Sequence, residues 1–169
     1  RFERPIRGSI SCFQTGSPSS TGGCVRGVHN AIQKGLLGKP VYGDFNLDDH
    51  ICVPRAMWGR RSRSWAGGSS TAHVLLTHVV DLIRWYFHPA EISEVYAVSR
   101  STVLKFTPDL YDAFLTLDTG LLIRTKAEWI RQMDSLVECD ISISEDRGGL
   151  VYRKIPAFRT RRGLRIDTD

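Results

Sequence analysis

Gly68–His88 reads GSSTAHVLLTHVVDLIRWYFH. An α-helix turns about 100° per residue. On that wheel His73, Thr77, Asp81, Arg84 and His88 form one narrow polar stripe. Leu75, Leu76, Val79, Val80, Leu82, Ile83, Tyr86 and Phe87 cover the wider opposite face. The spacing predicts one packed helix, with Gly67-Gly68-Ser69-Ser70-Thr71 supplying a turn and an N-cap before it. His78 lies just beyond the stripe, beside Trp85, where an imidazole can face a cleft while the rest of the helix stays packed. Asp81 and Arg84 are close enough along the helix to pair locally.

Outward from that helix the period changes. After Pro89, Ile92–Val98 reads as a strand, and Tyr111–Asp118 alternates Tyr111, Ala113, Leu115 and Leu117 on one face. Leu121–Ile130 alternates in the same way, with Leu121, Ile123, Thr125, Ala127 and Trp129 on one side. In Leu136–Ser144, Val137, Cys139, Ile141 and Ile143 are predicted to face inward. Asp146-Arg147-Gly148-Gly149 turns the chain into Leu150–Ile155. Before the helix, Gly27–Leu37 reads as a short helix with a glycine stop, Lys39–Asn46 as the first strand, and Asp48–Trp65 as irregular. Thr15–Gly23 holds no large apolar side chain, so residues 1–26 are expected to form a flexible leader and 27–169 one domain. The predicted class is α+β: an open, mostly antiparallel sheet with helices packed on one face.

The 169 residues suffice for one domain with a core, and 41% apolar with 24% charged content is ordinary for a soluble globular chain. No apolar run is long enough to cross a bilayer, because the long helix carries His73, His78, Asp81 and Arg84. Arg1–Arg7 is basic but no apolar core follows it, so no secretory signal is expected. Cys12, Cys24, Cys52 and Cys139 show no metal-ligand spacing and no disulfide framework. No metal site is expected, and the cysteines are expected to be reduced in a cytoplasmic protein.

The net charge of +5 is uneven: residues 1–70 carry ten Lys/Arg against four Asp/Glu, and the remainder thirteen against fourteen. The excess thus belongs to the leading segment and to Arg60, Arg61 and Arg63. The tail Arg159, Arg161, Arg162, Arg165 is the nearest approach to a nucleic-acid face, but a solvated basic end explains it as well. Arg60, Arg61, Arg63 and Trp65 precede the turn into the main helix. Free helix amides plus arginines suit a phosphate or carboxylate, and Trp65 can stack on a sugar face. The plainer alternative is a solvated basic loop with its tryptophan tucked into the core. On spacing alone, His78 is likewise either a proton-transfer residue or a histidine satisfied by a neighbour.

His78-Val79-Val80-Asp81-Leu82-Ile83-Arg84-Trp85 resembles the H-x-x-D-L-x-R-W helix segment of the glucose–fructose oxidoreductase / inositol dehydrogenase (Gfo/Idh/MocA) family. Lys34–Val41 resembles that family's helix-to-strand junction, Gly67-Gly68 precedes the helix as there, and Glu91–Ala97 resembles the strand that follows. Thr119-Gly120, a strand ending in Trp129, and a later Gly-Gly turn also match in order. The resemblance spans roughly residues 27–155.

The resemblance implies the C-terminal domain of an enzyme that uses NAD or NADP to oxidise or reduce hydroxyl and carbonyl groups of sugars, inositols or related polyols. The dinucleotide site and the catalytic lysine, of an E-K-P motif, belong to the family's other, Rossmann domain. Neither is found here: no G-x-G-x-x-G follows a strand, and Lys39-Pro40 stands at the domain junction. No cofactor-binding residue is therefore expected in this chain, no bound cofactor, and no activity from it alone. The family's D-x-x-x-H motif places its histidine at His78 as the catalytic residue and its acid at Val74. Trp65, Arg63 and Thr77 are the expected substrate-binding residues, with a small sugar or polyol as partner and a homo-oligomer formed through the sheet face. Rival functions are a non-catalytic oligomerisation or ligand-binding domain, which Val74 favours, and a basic nucleic-acid-binding module.

Overall fold

A computed structural model describes residues 19–154 and 163–168, with side chains described for 25–153. Its strands are β1 (Pro40–Asp49), β2 (Ile92–Arg100), β3 (Leu110–Leu117), β4 (Leu122–Glu128), β5 (Val137–Glu145), β6 (Gly148–Lys154) and β7 (Gly163–Thr168). They form one sheet in the order β2-β3-β4-β1-β5-β6-β7. β1 and β4 run parallel, and every other neighbouring pair is antiparallel. The carboxyl ends of β1 and β4 therefore emerge together, Asp48 opposite Glu128.

One face of the sheet is apolar because the strands alternate as predicted. Phe45, Leu115, Ile123, Ile141, Ile143 and Leu150 are buried on it. α1 (Ser19–Gln33) and α4 (Thr77–Phe87) lie over that face and pack against each other. They contribute Val28, Ala31, Val79, Ile83, Tyr86 and Phe87 to the same cluster. Two short helices, α2 (Cys52–Arg55) and α3 (Arg61–Gly67), occupy the stretch read as irregular. The architecture is thus the expected α+β sheet with helices on one face.

Several boundaries differ. α1 starts at Ser19, so part of the stretch read as a leader is helical backbone. β1 continues past Asn46 to Asp49 because β4 and β5 go on supplying partners, Asp48↔Glu128 and Asp49↔Val137. The cost of placing Asp48 and Asp49 there, both buried, is offset by Lys126, Arg131 and the Trp129 indole. β7 continues the sheet beyond the last strand read from sequence. The main helix is not uniform either: Ala72–Leu76 is a π-helical turn that runs into α4. Thr77 N–H donates to the Ala72 carbonyl, and its hydroxyl donates to the His73 carbonyl at 2.9 Å. Such single π turns often mark functional sites.

The opposite face of the sheet carries ion pairs. Arg124 holds Asp112 through two nitrogens, at 2.6 and 3.1 Å, and reaches Asp44 at 3.5 Å. Arg131 pairs with Glu128 and Asp48, and Lys126 with Asp48 at 3.0 Å. No helix among the described residues is long and apolar enough to cross a membrane.

Candidate functional site

His78 sits in the first turn of α4, exposed, at the end of the sheet where β1 and β4 finish. What fixes that corner is a set of long-range hydrogen bonds. The Asp109 carboxylate is fully buried and accepts from the backbone amides of Val103 and Leu104, both at 2.7 Å, which folds the 101–109 loop around it. That loop grips the turn before the helix: Thr71 Oγ1 donates to the Pro108 carbonyl at 2.9 Å and Thr107 Oγ1 to the Ser69 carbonyl at 3.1 Å. Ser70 then caps the helix start, accepting from His73 N–H at 3.3 Å and contacting His73 Nδ1 at 2.9 Å.

Beneath this turn lies a second, smaller apolar cluster of Ile51, Ala66, Leu75, Leu104, Ala127 and Trp129. Trp129 is fully buried, and its backbone N–H donates to the Asp109 carbonyl at 2.8 Å. Its indole N–H donates to Asp49 Oδ2 at 3.2 Å. Burial pushes the Asp49 carboxyl above the usual range, while the Trp129 hydrogen bond and the charge of His78 pull it down. Asp49 is therefore a buried carboxylate within electrostatic reach of His78. Asp48, its neighbour on the other face, is likewise raised by burial against the pull of Lys126 and Arg131.

Val74 is half-buried and packs against this smaller cluster. Asp49 was not singled out from sequence. The sequence offers one signal for it, the Asp48-Asp49 pair just past the strand pattern of Lys39–Asn46.

The other expected residues fall in distinct places. Trp65, on α3, rests against Trp129 with ring centroids 5.6 Å apart and is partly exposed at 36%. Arg63 does not share its cleft: the guanidinium lies over the Phe106 ring, 4.7 Å from the centroid. Thr77 is exposed and its hydroxyl proton is committed to the His73 carbonyl. Asp81 does not hold Arg84, which reaches Glu91 at 3.7 Å. Trp85, beside His78 on the wheel, stacks on His29 at 4.2 Å. Arg60, Arg61 and Trp58 gather with Trp65 around one open cleft of about 780 Å³. Among the described residues no His/Cys/Asp/Glu group has a metal-binding arrangement, and Cys52 and Cys139 are not in disulfides.

The sequence pattern of the GFO/IDH/MocA C-terminal domain matches residues 25–151. No curated protein matches the chain. Similar solved structures include the WlbA dehydrogenase from Bordetella pertussis in complex with NADH and UDP-GlcNAcA, at 19% identity and a TM-score of 0.66. That likeness covers 85% of this chain and 42% of the dehydrogenase. An inositol dehydrogenase homologue from Azotobacter vinelandii, complexed with NADH and myo-inositol, is similar at 13% identity and a TM-score of 0.65, over 85% of this chain and 39% of that one. A levoglucosan dehydrogenase in complex with NADH and L-sorbose gives 18% identity, a TM-score of 0.64, and coverage of 84% and 43%. This chain thus spans about two fifths of the length of each of these enzymes. At such identities the likeness shows the fold.

Proposed function

Because the chain belongs to the GFO/IDH/MocA C-terminal domain family, we propose that it is the substrate-binding half of an NAD(P)-dependent oxidoreductase acting on a CH–OH group of a sugar, inositol or related polyol. The observation that carries this is the placement of His78: exposed, at the carboxyl ends of the parallel pair, with buried Asp49 in electrostatic reach. His78 is the side chain that takes the hydroxyl proton in oxidation and returns it in reduction. Asp49, supplied by β1, stands in for the acid that Val74 replaces on the helix. It is a positioning residue, because it acts through His78. Trp65 offers a partly exposed ring to the substrate. Arg63 and Thr77 are proposed as further substrate contacts outside the Trp65 cleft, each already holding one partner, Phe106 and the His73 carbonyl.

A nicotinamide dinucleotide would accept or donate the hydride. Among the described residues no segment fits it. Gly67-Gly68 ends α3 and turns the chain, and Gly148-Gly149 opens β6, so neither forms a phosphate-binding loop between a strand and a helix. No hydride step is therefore derived from this chain. Residues 1–169 alone are expected to give no saturable change in NADH fluorescence, and a saturable titration would contradict this.

The open face of the sheet exposes Tyr96, Phe114, Leu122 and Val98, on neighbouring strands β2, β3 and β4. A second copy of the chain is the proposed cover, and a monomeric mass in solution would remove it. One observation favours a rival: Val74, at the position where the resemblance implies an acid, packs against the apolar cluster, as in a non-catalytic ligand-binding domain.

The deciding test uses the complete protein, a set of polyols and NAD or NADP, followed at 340 nm. His78→Ala is expected to lower kcat by at least about 100-fold with little change in KM, the range for losing a general acid–base group. Wild-type activity that survives His78→Ala would remove the assignment. A wild-type protein inert towards every polyol would favour the rival.

A further inference from the structure

From His50 to Val80 the sequence holds Arg55, Arg60, Arg61 and Arg63 and not one aspartate or glutamate. Arg63 has a partner in the Phe106 ring. Arg60 and Arg61 are exposed, form no ion pair among the described residues, and line the same cleft as Trp58 and Trp65. Two such arginines beside two exposed tryptophans are neither apolar core nor plain basic surface.

The aromatic side of the cleft is built rather than loose. Trp58 and Trp65 meet edge to face, with centroids 4.5 Å apart and planes at 71°. Trp58 is 47% exposed, yet its backbone N–H donates at 2.7 Å to the hydroxyl of Ser62, a side chain with no exposure at all. Trp65 leans on fully buried Trp129, the residue that holds Asp49. Indole rings are thus fixed at the mouth of a cleft of about 780 Å³, within the size range of small-molecule sites. The aromatic ladder Trp58–Trp65–Trp129 runs from this cleft to the carboxylate near His78.

Indole faces accept the C–H face of a sugar ring, and guanidinium groups pair with carboxylate or phosphate oxygens. A neutral polyol would leave both arginines unused. We propose that this cleft binds the acidic portion of the substrate, a sugar bearing a carboxylate or a phosphate, with its ring against Trp58 and Trp65 and its anion between Arg60 and Arg61. This rests on the sugar or polyol oxidoreductase assignment above and narrows it to acidic substrates.

The test is a titration of residues 1–169 followed by tryptophan fluorescence, with glucuronate, glucose 6-phosphate, glucose, inorganic phosphate and an oligothymidylate as probes. Glucuronate or glucose 6-phosphate is expected to bind at least tenfold more tightly than glucose, and the tighter of the two identifies carboxylate or phosphate as the anion. The double variant Arg60→Ser/Arg61→Ser should lose that preference while keeping the wild-type melting temperature and the wild-type response to glucose. Equal binding of glucose and the acidic sugars overturns the proposal and leaves the polyol assignment standing. So does an acid preference that survives the double variant. Inorganic phosphate binding as tightly as the acidic sugars reduces the cleft to an anion site and also overturns it. Tightest binding by the oligothymidylate replaces it with a nucleic-acid site. If no sugar binds, the cleft is not a sugar site, and the NAD-coupled assay alone judges the oxidoreductase assignment.

Discussion

The two apolar clusters of this molecule are built on different principles. The larger lies between the sheet and the helices α1 and α4, and its members recur at strand and helix periods, as Ile141, Ile143, Val79 and Ile83 do. The smaller surrounds Trp129 at the carboxyl ends of β1 and β4 and draws single residues from distant segments: Ile51, Ala66, Leu75, Leu104 and Ala127. The first is held by burial of apolar area. The second is small and leans on hydrogen bonds across the fold, from Thr71 to Pro108, Thr107 to Ser69 and Trp129 to Asp49. Every group proposed to do chemistry adjoins the second, which suggests a stable slab carrying a corner that can be specified residue by residue.

That contrast can be broken experimentally. In the large cluster, Ile83→Ala removes a side chain with no solvent exposure. It is expected to cost about 2–5 kcal/mol and to lower the melting temperature by roughly 10 °C. A loss of only a degree or two would mean the slab is not what holds the fold.

Trp129→Phe probes the smaller cluster. It keeps a ring for Trp65 but removes the donor to Asp49, leaving a buried carboxylate without that bond. A cost of about 1–3 kcal/mol is expected, together with a fall in kcat of the complete enzyme that Ile83→Ala does not show below its melting point. Equal effects of the two variants on kcat would erase the distinction between slab and corner.

How much was legible follows from the same contrast. The alternation of Leu115, Ile123 and Ile143 and the wheel of Val79, Ile83 and Tyr86 are local patterns, so the sheet, its covered face and the outward placement of His78 could be read from sequence. The π turn could not, because the turn before it is held where Ser69 and Thr71 meet the 101–109 loop in space. Asp49 was missed because the burial of a carboxylate is set by partners far away in sequence, Trp129 above all. Arg63 and Arg60 look equivalent in sequence. Only the packing of Phe106 separates them.

The smallest effect concerns the slab's far edge. Glu145 is buried beside Asp146, and burial foremost pushes its carboxyl from 4.5 to about 7. The folded chain thus keeps a proton that the unfolded chain releases. Stability from this group is fully present below about pH 4.5 and is lost as the pH rises through 7. Glu145→Gln should leave the melting temperature near wild type at pH 5 and raise it by about 2–4 °C at pH 8. Identical pH dependence in the two proteins would show that Glu145 is ionised throughout.

His78 and Asp49 share no hydrogen bond, and their proposed coupling acts through charge at the carboxyl ends of the parallel pair. A double-mutant cycle on kcat/KM of the complete enzyme, with His78→Ala and Asp49→Asn, tests it most directly. Asp49→Asn alone is expected to slow the proposed enzyme at least about tenfold, and the double variant to be no slower than His78→Ala. Losses that multiply would mean that the two residues act independently, and would contradict the coupling.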